Sequence, residues 1–215
     1  MIWICAYRDW AIKIHQQIKH VVDCNLISSK EEFNKSINLF KKEDKIFFLG
    51  WSWIIDNQIL DNYECICLHP SLLPKYRGGS PIQHQIINGE SNSAVTFFKM
   101  TNKLDAGPIL YQKQYSLEGN LLDIFKRITS LGVDGILYTL NNNPIPINQD
   151  ESQATYFKRR QKDESEIKIA DLNKFTAKEL HNKIRCLQDP YPNAFITCKN
   201  GTKLYIKLSE YKDEF

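Results

Sequence analysis

At 215 residues the chain is long enough to bury a full hydrophobic core, as one large domain or as one domain with a modest appendage. A formal charge of +3, from 28 basic and 25 acidic side chains, is too small to give the whole surface a nucleic-acid-seeking field, and 42% hydrophobic with 25% charged residues is an ordinary globular balance. No apolar run approaches the ~20 residues that span a bilayer, the first residues lack the pattern of a secretory signal, and the scattered cysteines show no paired metal-knuckle spacing, so a cytoplasmic protein with reduced thiols and no membrane partner is expected.

In chain order, short apolar runs at Ile2 to Ala6, Val21 to Ile27, Lys45 to Gly50 and Tyr63 to Leu68 alternate with stretches of helical period at Trp10 to Lys19 and Lys30 to Lys42. That alternation predicts βαβ units and a mainly parallel sheet covered by helices on both faces. Ser28-Ser29-Lys30-Glu31-Glu32 reads as a helix cap with acids in the first turn. Pro81 to Asn88 reads as a short helix closed by Gly89, and Ala94 to Met100 and Ile109 to Leu117 as strands. Apolar residues at 121, 122, 125, 128, 132, 136 and 140 predict a helix with one buried stripe, which Asn141 to Pro146 ends. After the polar stretch Gln149 to Glu166 come a helix around Thr176 to Leu187 and two strands, Ala194 to Lys199 and Lys203 to Leu208, joined by an Asn200-Gly201 turn. The chain divides on this reading into residues 1–150 and an extension over 151–215.

The usual dinucleotide fingerprint is missing, because no GxGxxG follows the first strand. Ligands of open α/β sheets nevertheless gather outside the carboxyl ends of the strands, where Gly50-Trp51-Ser52-Trp53 and His69 both fall. His69 opens the rigid loop His69-Pro70-Ser71-Leu72-Leu73-Pro74-Lys75-Tyr76-Arg77-Gly78-Gly79-Ser80-Pro81. An imidazole held there suits proton transfer near neutrality. Asp105, in the turn Leu104-Asp105-Ala106-Gly107-Pro108, would stabilise the imidazolium if the turn returns to it. Cys65, Cys67 and His69 share one strand face, but same-face neighbours stand ~6.5 to 7 Å apart. A straight strand is therefore a poor tripod for zinc, and no metal is expected.

Cys65 to Gly78, followed by Leu104-Asp105-Ala106-Gly107-Pro108-Ile109, resembles the catalytic segment of the 10-formyltetrahydrofolate-dependent formyltransferases in order and spacing. The resemblance implies a Rossmann-like α/β fold with a small C-terminal helix and β-hairpin. It makes 1–150 the catalytic domain and 151–215 an extension completing the substrate side. It implies a folate formyl donor, His69 as proton relay and Asp105 as its orienting carboxylate. Trp51, Ser52, Trp53, Ile54 and Asp105 would be cofactor-binding. Where the family has an asparagine, this chain has Cys67, so a stronger hydrogen-bond donor is replaced by a thiol.

The tail, Thr155-Tyr156-Phe157-Lys158-Arg159-Arg160 and Ile184 to Phe195, is similar to that of bacterial sugar N-formyltransferases. The expected acceptor is thus the amine of a nucleotide-linked amino-deoxysugar used in surface polysaccharide, with no nucleic-acid partner. Arg77, Arg159 and Arg160 could grip its diphosphate bidentately, Tyr76 and Tyr191 could offer flat faces, and Gly78 beside them is likewise expected to bind substrate. A methionyl-tRNA or other amine formyltransferase, a non-catalytic folate-binding relative and a thiol-dependent transferase through Cys67 are the alternatives. A homodimer is left open.

Overall fold

The strands form where apolar, β-branched and aromatic residues run together, and the sheet they build sets every other element. A computed structural model describes residues 1–212. β1 (Ile2–Ala6), α1 (Asp9–Ile18), β2 (Cys24–Ile27), α2 (Lys30–Ser36), β3 (Lys45–Leu49), α3 (Asn57–Asn62) and β4 (Glu64–His69) make the parallel half. After the short β5 (Arg77–Gly78) and α4 (Pro81–Ile87), β6 (Asn92–Lys99) and β7 (Ile109–Ser116) add two antiparallel strands. The six-stranded order is β2-β1-β3-β4-β6-β7. The chain therefore steps one way from β1 to β2 and the other way from β3 onward, which places the topological switch between β1 and β3.

The two faces bury different side chains. On one, α1 and the long α5 (Leu121–Asn142) lie over Ile4, Phe47, Ile66, Leu68 and Phe97. The Thr129 hydroxyl donates to the Trp10 carbonyl at 3.0 Å, locking the two helices together. On the other, α2 and α3 cover Trp3, Phe48, Cys65 and a cluster of tilted and edge-on aromatic rings that includes Phe33 and Phe40. Ser29 caps α2 by accepting the Glu32 N–H at 3.1 Å, while the Glu32 carboxylate takes the Ser28 N–H and hydroxyl.

After α5 the chain forms β8 (Tyr156–Phe157), α6 (Ala177–Arg185) and the hairpin β9 (Ala194–Thr197) and β10 (Lys203–Ile206). β8 pairs with β5, so the stretch just past residue 150 is woven into the Arg77 loop. Ile167, Ile184, Leu187 and Ala194 join the same core as α5, so hydrophobic packing is continuous across that position.

The expected elements are present with shifted ends. β2 starts at Cys24, because Val21 is exposed in the turn that follows α1. α2 stops at Ser36 and gives way to a single 3-10 turn, Ile37–Leu39. α5 runs two residues beyond Leu140, and its Leu122 faces solvent instead of the stripe. α3, six residues behind Asp56, was not anticipated from the sequence.

Candidate active site

β4 ends at His69, and the loop that leaves it is held by side chains from four other segments. Gln85 Nε2 donates to the Pro70 carbonyl at 2.9 Å, Thr96 Oγ1 to the Ser71 carbonyl at 2.7 Å, and Gln112 Nε2 to the Leu73 carbonyl at 3.0 Å. The Tyr76 N–H reaches Thr155 Oγ1 at 2.8 Å, and the Tyr76 carbonyl lies 2.8 Å from His69 Nε2. A carbonyl only accepts, so Nε2 carries the hydrogen and Nδ1 is left as the basic nitrogen.

Nδ1 faces Asp105. Its distance to Oδ2 is 3.6 Å, and the same oxygen accepts the Gly78 N–H at 2.8 Å. Both side chains are nearly buried, at 7% and 14% exposure. At this separation the pair is short of a hydrogen bond, yet close enough that a proton arriving on Nδ1 meets a carboxylate in a largely dry setting. The sequence places these residues 36 positions apart, and the fold brings them together.

Backbone conformation aims them. Asp105 has φ +48°, Ser80 φ +53° and Tyr76 φ +61°, the left-handed region that costs a non-glycine residue roughly 1 kcal/mol or more. Aspartate tolerates it best; Tyr76 is held there by its main-chain bonds, by its hydroxyl on Glu90 at 2.8 Å, and by its ring stacked 4.9 Å from Phe157. Gly107 is required by close approach, since a Cβ would sit 1.7 Å from the Lys99 carbonyl oxygen. Gly78 combines φ +97° with a Cβ position only 2.3 Å from the Phe157 carbonyl oxygen.

Beneath the pair lies a network that the sequence did not reveal. Gln149 Nε2 donates to the main-chain carbonyls of Asp105 at 2.9 Å and Gly107 at 2.7 Å. Its Oε1 accepts from Arg77 Nη2 at 2.8 Å, and Arg77 grips the Glu151 carboxylate with both terminal nitrogens at 2.8 and 2.9 Å. Arg77 also meets the Tyr156 hydroxyl at 2.5 Å. This overturns the expectation that Arg77 binds a diphosphate: it is fully buried with its donors committed, and it props the Asp105 turn. Tyr76 likewise offers no free face, because Phe157 covers it and it is 8% exposed.

The remaining expected residues are spread around the edge. Arg160 is mostly covered, with Nη2 on the Glu164 carbonyl at 2.7 Å. It serves the local turn, contrary to the expectation of a substrate contact. Arg159 is exposed and donates to Ser52 Oγ at 3.3 Å. Tyr191 packs near Phe125 and under Arg8. Trp51 and Trp53 sit edge to face at 4.7 Å, and with Ile54, which is 98% exposed, they line a cleft of about 400 Å³ against α2 and α3. His69 and Asp105 do not line it. The Trp51 indole N–H is buried without a partner, so a flat heteroaromatic ring with a hydrogen-bond acceptor fits these residues.

Cys67 packs beside the second core, and burial, with the Asp105 charge behind it, pushes its thiol well above the ordinary value. Near neutral pH it is a thiol, a poor nucleophile. All six cysteines are free, and among the described residues no three His, Cys, Asp or Glu side chains are grouped to hold a metal. No helix among them is long and apolar enough to cross a membrane.

Comparisons with known proteins converge on one family. The family described as formyl transferase matches residues 14–121. A methionyl-tRNA formyltransferase of Ehrlichia ruminantium is 35% identical over 174 residues, 78% of this chain and 54% of that protein. The chain spans between about half and two thirds of the length of the curated relatives first matched, 54% to 64%. Among solved structures, a methionyl-tRNA formyltransferase from Clostridium thermocellum superposes with a TM-score of 0.82 at 30% identity, covering 95% of this chain and 96% of that one. A sugar N-formyltransferase from a Shewanella species shares the fold, with a TM-score of 0.71 at 18% identity over 99% and 98% of the two chains. With half of the chain matched by the family and a 30%-identical structure followed nearly end to end, the protein belongs to the formyl transferase family.

Proposed function

We propose that the protein is an N-formyltransferase, working on the amino group of a nucleotide-linked amino-deoxysugar in the cytoplasm. The observation that carries the reading is the His69–Asp105 pair: a tautomer fixed by the Tyr76 carbonyl, and a carboxylate fixed by the Gly78 N–H opposite the free nitrogen. 10-Formyltetrahydrofolate supplies the activated formyl group, and Trp51, Trp53 and Ile54 offer the apolar and donor groups to grip its ring.

His69 Nδ1 accepts one proton from the acceptor amine as its nitrogen takes the formyl group. Asp105 stabilises the resulting imidazolium, which returns the proton to the departing folate nitrogen. Without the family's asparagine, the His69 imidazolium and nearby main-chain N–H groups balance the developing negative oxygen. Cys67 contributes packing.

The sugar acceptor is supported by the tail motifs, Thr155 to Arg160 and Ile184 to Phe195. A methionyl-tRNA acceptor is the second reading, and the higher sequence identities of relatives bearing that name favour it. The test is a mass-spectrometric assay with 10-formyltetrahydrofolate and, in parallel, dTDP- and UDP-linked amino sugars and charged initiator tRNA. A formamido sugar is expected; formylation of the tRNA with every sugar untouched would transfer the conclusion to the second reading.

A further inference from the structure

The chain has six arginines, and four are anchored by protein groups. Arg77 holds Glu151, Arg160 holds the Glu164 segment, Arg127 caps the carbonyls of Ser116 and Glu118, and Arg185 those of Leu117 and Gly119. Arg8 and Arg159 are different: among the described residues the Arg8 guanidinium makes no hydrogen bond, Arg159 makes only one, to Ser52, and neither has a carboxylate within 4.0 Å. Two unpaired cations need a reason to be neighbours, because they repel.

They are linked through Tyr7 and Ser52. Arg159 Nη1 donates to Ser52 Oγ, Ser52 Oγ lies 2.5 Å from the Tyr7 hydroxyl, and the Arg8 guanidinium sits 4.8 Å over the Tyr7 ring and 5.9 Å from the Tyr191 ring. The Arg8 backbone is rigid, since its carbonyl accepts the first two bonds of α1 at 2.9 Å. Gln83, only 3% exposed, turns its amide toward Tyr191. Tyr7 and Arg8 follow the carboxyl end of β1 and Ser52 that of β3, the strands that flank the topological switch. The cluster also reaches the reaction centre: a Cβ on Gly79 would sit 2.5 Å from the Arg159 Cα, and the preceding N–H, of Gly78, holds Asp105.

We propose that Arg8 and Arg159, with the Ser52 and Tyr7 hydroxyls between them, form the subsite that binds the diphosphate of a nucleotide-linked acceptor. The inference rests on the reading of the acceptor given above and adds the group that recognises its phosphates. A guanidinium on the Ser52 hydroxyl and another over the Tyr7 ring suit a compact dianion, and each can meet phosphoryl oxygens bidentately. The aromatic faces beside Arg8 reduce competition from water.

Isothermal titration with pyrophosphate, dTDP and UDP at low salt tests this directly. Arg8→Gln and Arg159→Gln should each weaken dTDP or UDP binding by about 10-fold and the double variant by about 100-fold. Arg8→Lys should recover part of the loss, and Lys13→Gln, on the exposed face of α1, should bind as the native protein does. Circular dichroism confirms that each variant is folded. With a sugar nucleotide, KM should rise while kcat stays within about 3-fold. Native-like binding of all three probes by both glutamine variants would overturn the inference, as would a native protein that binds none of them or binds only RNA. If the probes bind and the arginine variants lose them while no amine is formylated, the subsite stands and the acceptor reading fails.

Discussion

The loop from His69 to Ser80 and the loop from Gly50 to Asp56 leave adjacent strands of one sheet, yet they are held in opposite ways. The first is pinned by Gln85, Thr96, Gln112, Thr155 and the buried Arg77–Gln149 network, and its carboxylate partner is fixed by a main-chain N–H. The second carries a fully exposed isoleucine and a buried indole N–H without a partner, and two arginines with no carboxylate partner among the described residues stand nearby. Groups that must meet at a fixed distance are over-determined by protein, whereas groups that await a ligand are left with valence to spare.

The largest effect expected from breaking the pinned side is at its centre. His69→Asn should retain the melting temperature and lose at least about 10²-fold in kcat, measured by steady-state formylation. Next in size, Gln149→Leu should lower kcat by about 10-fold with KM little changed, because it loosens the Asp105 turn without touching substrate. Arg77→Met should in addition cost about 2 kcal/mol of stability in urea titration, since several charge-assisted bonds are lost at a fully buried site.

Cys67 sharpens the comparison from the other direction. Burial raises its thiol well above the ordinary range, so Cys67→Ala should keep activity within about 3-fold, and iodoacetamide at neutral pH should label the exposed Cys198 and leave Cys67 unmodified until the protein unfolds. Cys67→Asn should speed the reaction by restoring an amide donor. A trapped formyl-thioester at Cys67 would replace the histidine mechanism with a thiol one.

The smallest effect lies at the opposite end of the sheet. Burial pushes the Glu64 carboxyl up, but its bond to Lys45 and the charges of Lys45 and Lys99 outweigh that and hold it below the ordinary value. A depressed native value means the unfolded chain takes up this proton first on acidification. The contribution to stability is present above the ordinary carboxylate range and is lost as pH falls through the native value. Glu64→Gln should therefore flatten the acid side of the melting-temperature profile and leave formylation unchanged.

Much of this was legible in the chain itself. Alternating apolar runs located the parallel strands to within a few residues, and the motif from Cys65 to Gly78 with the Asp105 turn marked the centre. What escaped had physical reasons. Arg77 looks in sequence like an exposed phosphate ligand, because arginines are seldom buried unless paired, and its partners Gln149 and Glu151 lie more than 70 positions away without a local signature. Arg8 carried one unused signal, its position just past the first strand, where α/β sheets gather ligands. Val21 and Leu122 have the right hydrophobicity for a strand and a stripe but fall outside the packed faces.

The central claim is that one imidazole nitrogen, held opposite Asp105, moves the proton that allows an amine to take a formyl group. Single-turnover formylation of an amino sugar nucleotide by the native protein and by Asp105→Asn and His69→Asn, followed by mass spectrometry from matched folded preparations, tests it most directly. The account predicts that the native protein adds one formyl group to the acceptor and that both variants slow that step by about 10²-fold or more. Equal rates in all three, or no formylated amine from the native protein with any acceptor, would contradict it.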